Sequence, residues 1–289
     1  MIRTVLLVIL VTVLAAPCIA RAQDLDGSPY TPGVDADIDL YLCSWKDSMP
    51  VQSHGALVER EIFGRGDPLK PPSKGKVLKY MNRFVYATLA SGGSTRPTAL
   101  KGEQEVFYFL SGRGVIKTAK TTADIYQGVA VLVPAGCEFT ITNTSREDDL
   151  TMYLVNEPVP AGFRPNPDIL VKDVDASPIL SSSAHWVHLW RGMFGTNSGL
   201  GTIESTGTVS LDPMTIAHPH SHNEGVEEIW AAVSGESIAF IGKQIRMQAP
   251  GMAFTVPPDG KTPHSNINTS DKQILMLYIA RYRDHEVRK

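Results

Sequence analysis

Six groups able to bind a metal fall within eleven residues of this chain: His218, His220, His222, Glu224, Glu227 and Glu228. Another imidazole, His264, follows 36 residues after Glu228. Side chains two apart on an extended segment share a face, so His218, His220 and His222 would point the same way. Two such imidazoles, a carboxylate and an imidazole from a distant strand form a ligand set for one borderline divalent transition metal, Mn, Fe, Ni, Co, Cu or Zn. The preferred set is His220, His222, Glu228 and His264, because that histidine pair lies nearest to Glu228. Two alternatives stay open: His218 with His220 as the pair, and Glu227 or Glu224 as the carboxylate. Whichever of His218 and Glu227 is not a ligand is a candidate acid/base. Trp230 shares a face with Glu228, and Asn266 shares one with His264, so both are candidates for a substrate pocket. A metal with three or four protein ligands keeps open positions, where it can polarise an oxygen-rich small molecule.

Such ligands need strands to aim them, and the chain carries the strands twice. Gly102, Glu105, Gly112 and Gly128 are matched by Gly225, Glu228, Gly235 and Gly251, each pair 123 apart. Pro134 and Pro258 are 124 apart, and Asn143 and Asn268 are 125 apart. One offset held this closely by so many landmarks marks an internal repeat. In the first copy, β-branched and aromatic runs predict strands near 106–110, 129–133, 138–142 and 151–155. The second copy predicts them near 229–233, 238–241, 253–256 and 274–279. Gly, Pro, Asn and Asp separate these runs, and no long helical periodicity interrupts them. The expectation is an all-β chain of sandwich or barrel modules.

The second copy resembles the two motifs of the cupin superfamily. Glu228 stands seven residues before Gly235, and His264 four before Asn268. Gly251 leads into Pro257, Pro258 and Gly260 with one residue more than the usual spacing, and the gap between His222 and Glu228 is also one longer. Asp212 and Pro213 stand where the family pattern has a glycine. Because the framework is repeated, the resemblance is to a bicupin, and it implies two double-stranded β-helix (jelly-roll) barrels with a metal pocket inside the barrel. Mapped onto the first copy, His220, His222 and His264 fall on Pro97, Ala99 and Phe139, and only Glu105 survives. Phe107, Phe109 and Phe139 are expected to plug that barrel, with Glu105 hydrogen-bonded or near its rim. Activities compatible with the resemblance include dioxygenase, isomerase, lyase, decarboxylase and aminohydrolase chemistry. The alternative is a non-catalytic small-molecule or sugar binder with a structural metal.

The remaining sequence bounds this reading. Residues 1–22 read as a signal peptide, with a basic start, an apolar run and Ala20 and Ala22 before Gln23, so a secreted or periplasmic protein is expected. The further division is an arm at 23–75, a first barrel at 76–160, a linker and lead-in at 161–199 and a second barrel at 200–289. Net charge is −3 with no basic block, which argues against nucleic acid or an anionic membrane as partner. A small-molecule substrate is the expected partner, and a homodimer is compatible with an arm that could cross to a neighbour. Cys43 and Cys137 could pair in an oxidising compartment or stay as packed thiols. His54, His185, His188 and His285 lack matching partners in the sequence and are expected to be solvated or hydrogen-bonded.

Overall fold

The computed structural model describes residues 28–181 and 187–282. The leader at 1–22, His185 and His285 lie outside the described residues. The rest is nearly all strand, with one helical turn at Ile38–Tyr41 and two short 3-10 turns. The first module is an eight-stranded sheet facing a three-stranded one. Its central strands Glu103–Ser111, Leu150–Pro158 and Arg83–Leu89 pair antiparallel. The smaller sheet holds Arg113–Lys117 between Thr140–Asn143 and Thr122–Tyr126. The second module repeats the plan with seven and four strands. Glu227–Ser234, Ile274–Arg281 and Ser205–Leu211 form its middle, and His264–Asn268 pairs with Ser237–Ile241 in the facing sheet. Each module is thus a pair of facing sheets, without one continuous hydrogen-bonded ring.

The repeat is visible atom by atom. Asn143 Nδ2 donates to the carbonyls of Leu89, Ala90 and Asp148. Asn268 Nδ2 donates to those of Leu211, Asp212 and Lys272. In both copies one buried amide bonds three carbonyls and so ties the end of a smaller-sheet strand to two neighbouring loops. Gly112 and Gly235 turn the chain with φ of +85° and +77°. A Cβ at Gly112 would lie 2.6 Å from the Asp149 carbonyl oxygen, and one at Gly235 2.7 Å from the Ile274 side chain. Both positions require glycine on backbone and on space.

The segment 23–75 supplies strands to both modules. Leu42–Ser44 pairs with Met252–Thr255 at the edge of the second module's large sheet. Val51–Ser53 and Leu57–Arg65 extend the large sheet of the first. The lead-in contributes likewise: Leu170–Asp173 pairs with Val129–Val133, and Leu189–Gly195 with Ser205–Leu211. One apolar cluster fills the inside of the first module around Phe107, Phe109, Phe139 and Leu154. A second cluster is continuous from the outer face of the first module's large sheet (Phe84, Tyr108, Tyr153) into the second module (Ile229, Ala231, Leu277, Ile279). The modules therefore share a core, and two carboxylates clamp it. Glu157 accepts from the backbone amides of Gly201, Thr202 and Ile203 at 2.9, 2.7 and 2.5 Å. Glu227 reciprocates by accepting from the amides of Lys79 and Met81 at 2.7 and 2.9 Å, with Tyr80 at 3.3 Å.

Candidate metal centre

Alternation along Glu227–Ser234 decides which carboxylate enters the second module. Glu228 and Trp230 point between its sheets, while Glu227 and Ile229 point toward the first module. His264 begins the strand on the facing sheet, and His220 is bridged to it by reciprocal backbone hydrogen bonds of 3.3 and 2.9 Å. That bridge brings His220 and His222 onto the wall already carrying His264. The ligand atoms of His220, His222 and His264 lie within 4.8 Å of one another. Glu228 Oε2 closes the group from the opposite wall, 2.9 Å from His222 Nε2 and 3.4 Å from His264 Nε2. The structure thus brings together His220, His222, Glu228 and His264.

The donor set fits a divalent transition metal. Nε2 of His222 and both ring nitrogens of His264 are buried and make no hydrogen bond of acceptable geometry. Buried imidazole nitrogens with no well-aligned hydrogen bond are costly unless something else satisfies them, and a cation held by both rings would do so. His220 Nδ1 donates to the His218 carbonyl oxygen at 2.8 Å, leaving Nε2 as its ligand atom. Glu228 is held from behind by Trp230 Nε1 at 3.1 Å and by the Tyr278 hydroxyl at 2.5 Å. Burial opposes ionisation of Glu228, but the imidazoles of His222 and His264 outweigh it and hold the carboxyl well below its usual value. Burial lowers His264, against the pull of Glu228, so its ring favours the neutral, ligating form. Burial, with the Glu228 charge beside it, raises the Tyr278 phenol well above its ordinary value and keeps it a donor.

Two sequence candidates are placed elsewhere. Glu227 is not brought to the centre; it is 2% exposed and occupied by the amides of residues 79–81. His218 has its ring exposed and stacked on His220 at 6.0 Å, and it serves the group through its backbone carbonyl. Asn266 is buried on the inward face with a side-chain oxygen lacking a hydrogen bond. Trp230 packs against Tyr278 with ring centroids 4.6 Å apart and the planes tilted by 57°. Tyr278 and Tyr282 carry no motif and were missed from the sequence; only the inward register of Tyr278 opposite Trp230 identifies it. Trp230, Tyr278 and Tyr282 border a cavity of about 210 Å³ with His188, Trp190, Ser205 and Val209.

The first module holds a different interior. Phe107, Phe109 and Phe139 are buried, with ring centroids 6.3 and 5.9 Å apart around Phe107. Glu105 is fully buried yet well paired: Arg83 donates at 2.9 Å, Asn156 at 3.2 Å, and His54 Nε2 lies at 3.1 Å. His54 enters from the hairpin before the repeat, so no spacing along the chain marks it as a partner of Glu105. Among the described residues, His220, His222 and His264 form the group of three or more candidate ligands. Cys43 and Cys137 are free thiols, and burial pushes Cys43 up to about 12.

No protein-family model and no curated protein sequence matches the chain. Solved structures do match. A deletion mutant of Bacillus subtilis oxalate decarboxylase aligns with 14% identity over 86% of this chain and 79% of that one, with a TM-score of 0.63. A putative glyoxylate-induced protein from Pseudomonas aeruginosa aligns with 10% identity over 89% and 95%, with a TM-score of 0.67. At such identities the likeness is one of fold.

Proposed function

The chain folds as a bicupin, and we propose that its second barrel is a metal centre acting on a small oxygen-rich organic substrate. The observation that carries this is the convergence of His220, His222 and His264 on Glu228, with buried ring nitrogens that lack hydrogen bonds. A divalent transition metal bound there would supply Lewis acidity toward substrate oxygen. The chain's own residues do the rest. Trp230 and Tyr278 fix the Glu228 carboxylate, so it cannot rotate away from the imidazoles. His218 fixes the tautomer of His220. The aromatic walls beside Glu228 exclude water from one side of the group and so strengthen its electrostatics. Decarboxylation is one reaction within this reading, supported by the fold shared with oxalate decarboxylase. Work outside the cytoplasm is also part of the proposal, supported by the leader pattern of residues 1–22.

The test is metal content and its consequence. Purified protein should take up one divalent ion per chain, and His264→Ala should abolish that uptake while the far-ultraviolet spectrum stays that of a β protein. Turnover of a small acid, keto-acid or phenol should follow metal content. Equal metal uptake by wild type and His264→Ala would overturn the assignment.

A further inference from the structure

We propose that the cavity behind Glu228 is the specificity pocket of this centre, and that it takes one six-membered aromatic ring bearing a hydroxyl group. This rests on the second barrel being the working site and adds the substrate class to it.

The walls are rings. Trp230 meets Tyr278 at 4.6 Å, Trp190 meets Tyr278 at 5.5 Å and nearly perpendicular, and His188 meets Trp230 at 5.4 Å. Such walls present both ring faces and polarised ring edges, the complement of a planar aromatic guest. The cavity's volume, about 210 Å³, has room for a single substituted ring, since a dry cavity of about 150 Å³ already holds benzene. The lining contains no lysine or arginine, so a small dicarboxylate would meet no cationic side chain there. A sugar would need many partners, whereas the hydroxyls of Tyr278 and Tyr282 are already engaged with each other and with Glu228.

Polar side chains stand at both ends, Ser205 at one and His188 at the other. Ser205 stands in register with Ala280, which lies opposite Glu228. Its hydroxyl therefore sits at the end of the pocket nearest the metal ligands, where a guest hydroxyl would be aimed toward them. The pocket's floor depends on Gly207, in register with Tyr278 and Gly192. A Cβ at Gly207 would lie 2.4 Å from the Trp190 ring and 2.5 Å from the Arg191 carbonyl oxygen. The missing side chain is what lets the indole lie flat across the strand.

The experiment is binding of phenol, toluene, oxalate and glucose to the full chain, both metal-free and loaded with Mn²⁺, read by tryptophan fluorescence and calorimetry. Phenol should bind saturably to the metal-free protein, with oxalate and glucose at least tenfold weaker. Trp190→Ala should weaken phenol about tenfold, the loss of one good ring contact. Ser205→Ala, the milder change, should weaken phenol but leave toluene unchanged. Phenol binding no better than oxalate or glucose overturns the proposal, and so does equal weakening of phenol and toluene by Ser205→Ala. Metal uptake is measured separately on the same samples. Uptake without phenol binding sinks this inference alone, and phenol binding without uptake sinks the metal centre alone.

Discussion

Glu227 and Glu228 are neighbours in sequence with opposite tasks, so exchanging each in turn should separate stability from metal binding. Glu227 is buried and accepts from three backbone amides of the other module. Truncation to alanine leaves those amides buried and unpaired, at about 1–3 kcal/mol apiece before relaxation. Removal of a buried charge recovers part of that, so a net loss of about 3–5 kcal/mol is expected, as for breaking other buried ionic contacts. A chain of this length loses roughly 2–4 °C of melting temperature per kcal/mol, so Glu227→Ala should melt about 10 °C lower. Its metal affinity should be that of wild type. Glu228→Gln removes a charged ligand whose environment is built around its ionised form, and metal affinity should drop by at least about a hundredfold, beyond the loss typical of outer-shell partners. Thermal unfolding by circular dichroism, paired with calorimetric metal titration, reads both quantities. A Glu227→Ala protein that loses metal and keeps its melting temperature would refute the assignment of the two faces.

Other consequences can be checked in the same way. Asn143→Ala and Asn268→Ala should each cost about 2–3 kcal/mol in denaturant unfolding, since each loses three hydrogen bonds made by one buried amide; a large difference between them would argue against equivalent roles. Phe107→Ala should destabilise by about 3–5 kcal/mol through the cavity it leaves, with metal uptake unchanged. Burial raises Glu157 above its ordinary 4.5, against the amides that hold it. The folded chain therefore binds that proton more tightly than the unfolded chain. The stability it adds is complete below the unfolded value and is lost as pH rises through the raised one. Glu157→Gln cannot titrate, so the melting temperature of wild type relative to this variant should fall as pH rises above 4.5; a gap that widens with pH would contradict this sign.

What the sequence made legible is what repeats. The glycines, asparagines and alternating apolar runs recur at one offset because each is demanded by a local rule, a positive φ or an inward face, and local rules leave local marks. The candidate ligands were legible for the same reason, through their two-residue spacing on an extended segment. The inward turn of Glu228 rather than Glu227 was legible in the match to Glu105, since alternation allows only one of two adjacent side chains to face inward. What escaped was everything set by pairing across distance. His54 reaches Glu105 from 51 residues upstream, through a hairpin that the repeat does not contain. Ser205, Trp190 and Tyr278 share a pocket only because their strands lie side by side, and no spacing along the chain encodes that order. The clamp at Glu227 was invisible for a further reason: its partners are backbone amides, which every residue carries and no motif can advertise. The same fact explains how the site is protected from its neighbour. A second carboxylate one residue from Glu228 would compete for a cation if it were free, and three amides of the other module hold it on the far side of the sheet. Docking of the two modules and the choice of which carboxylate faces the three imidazoles are thus one event.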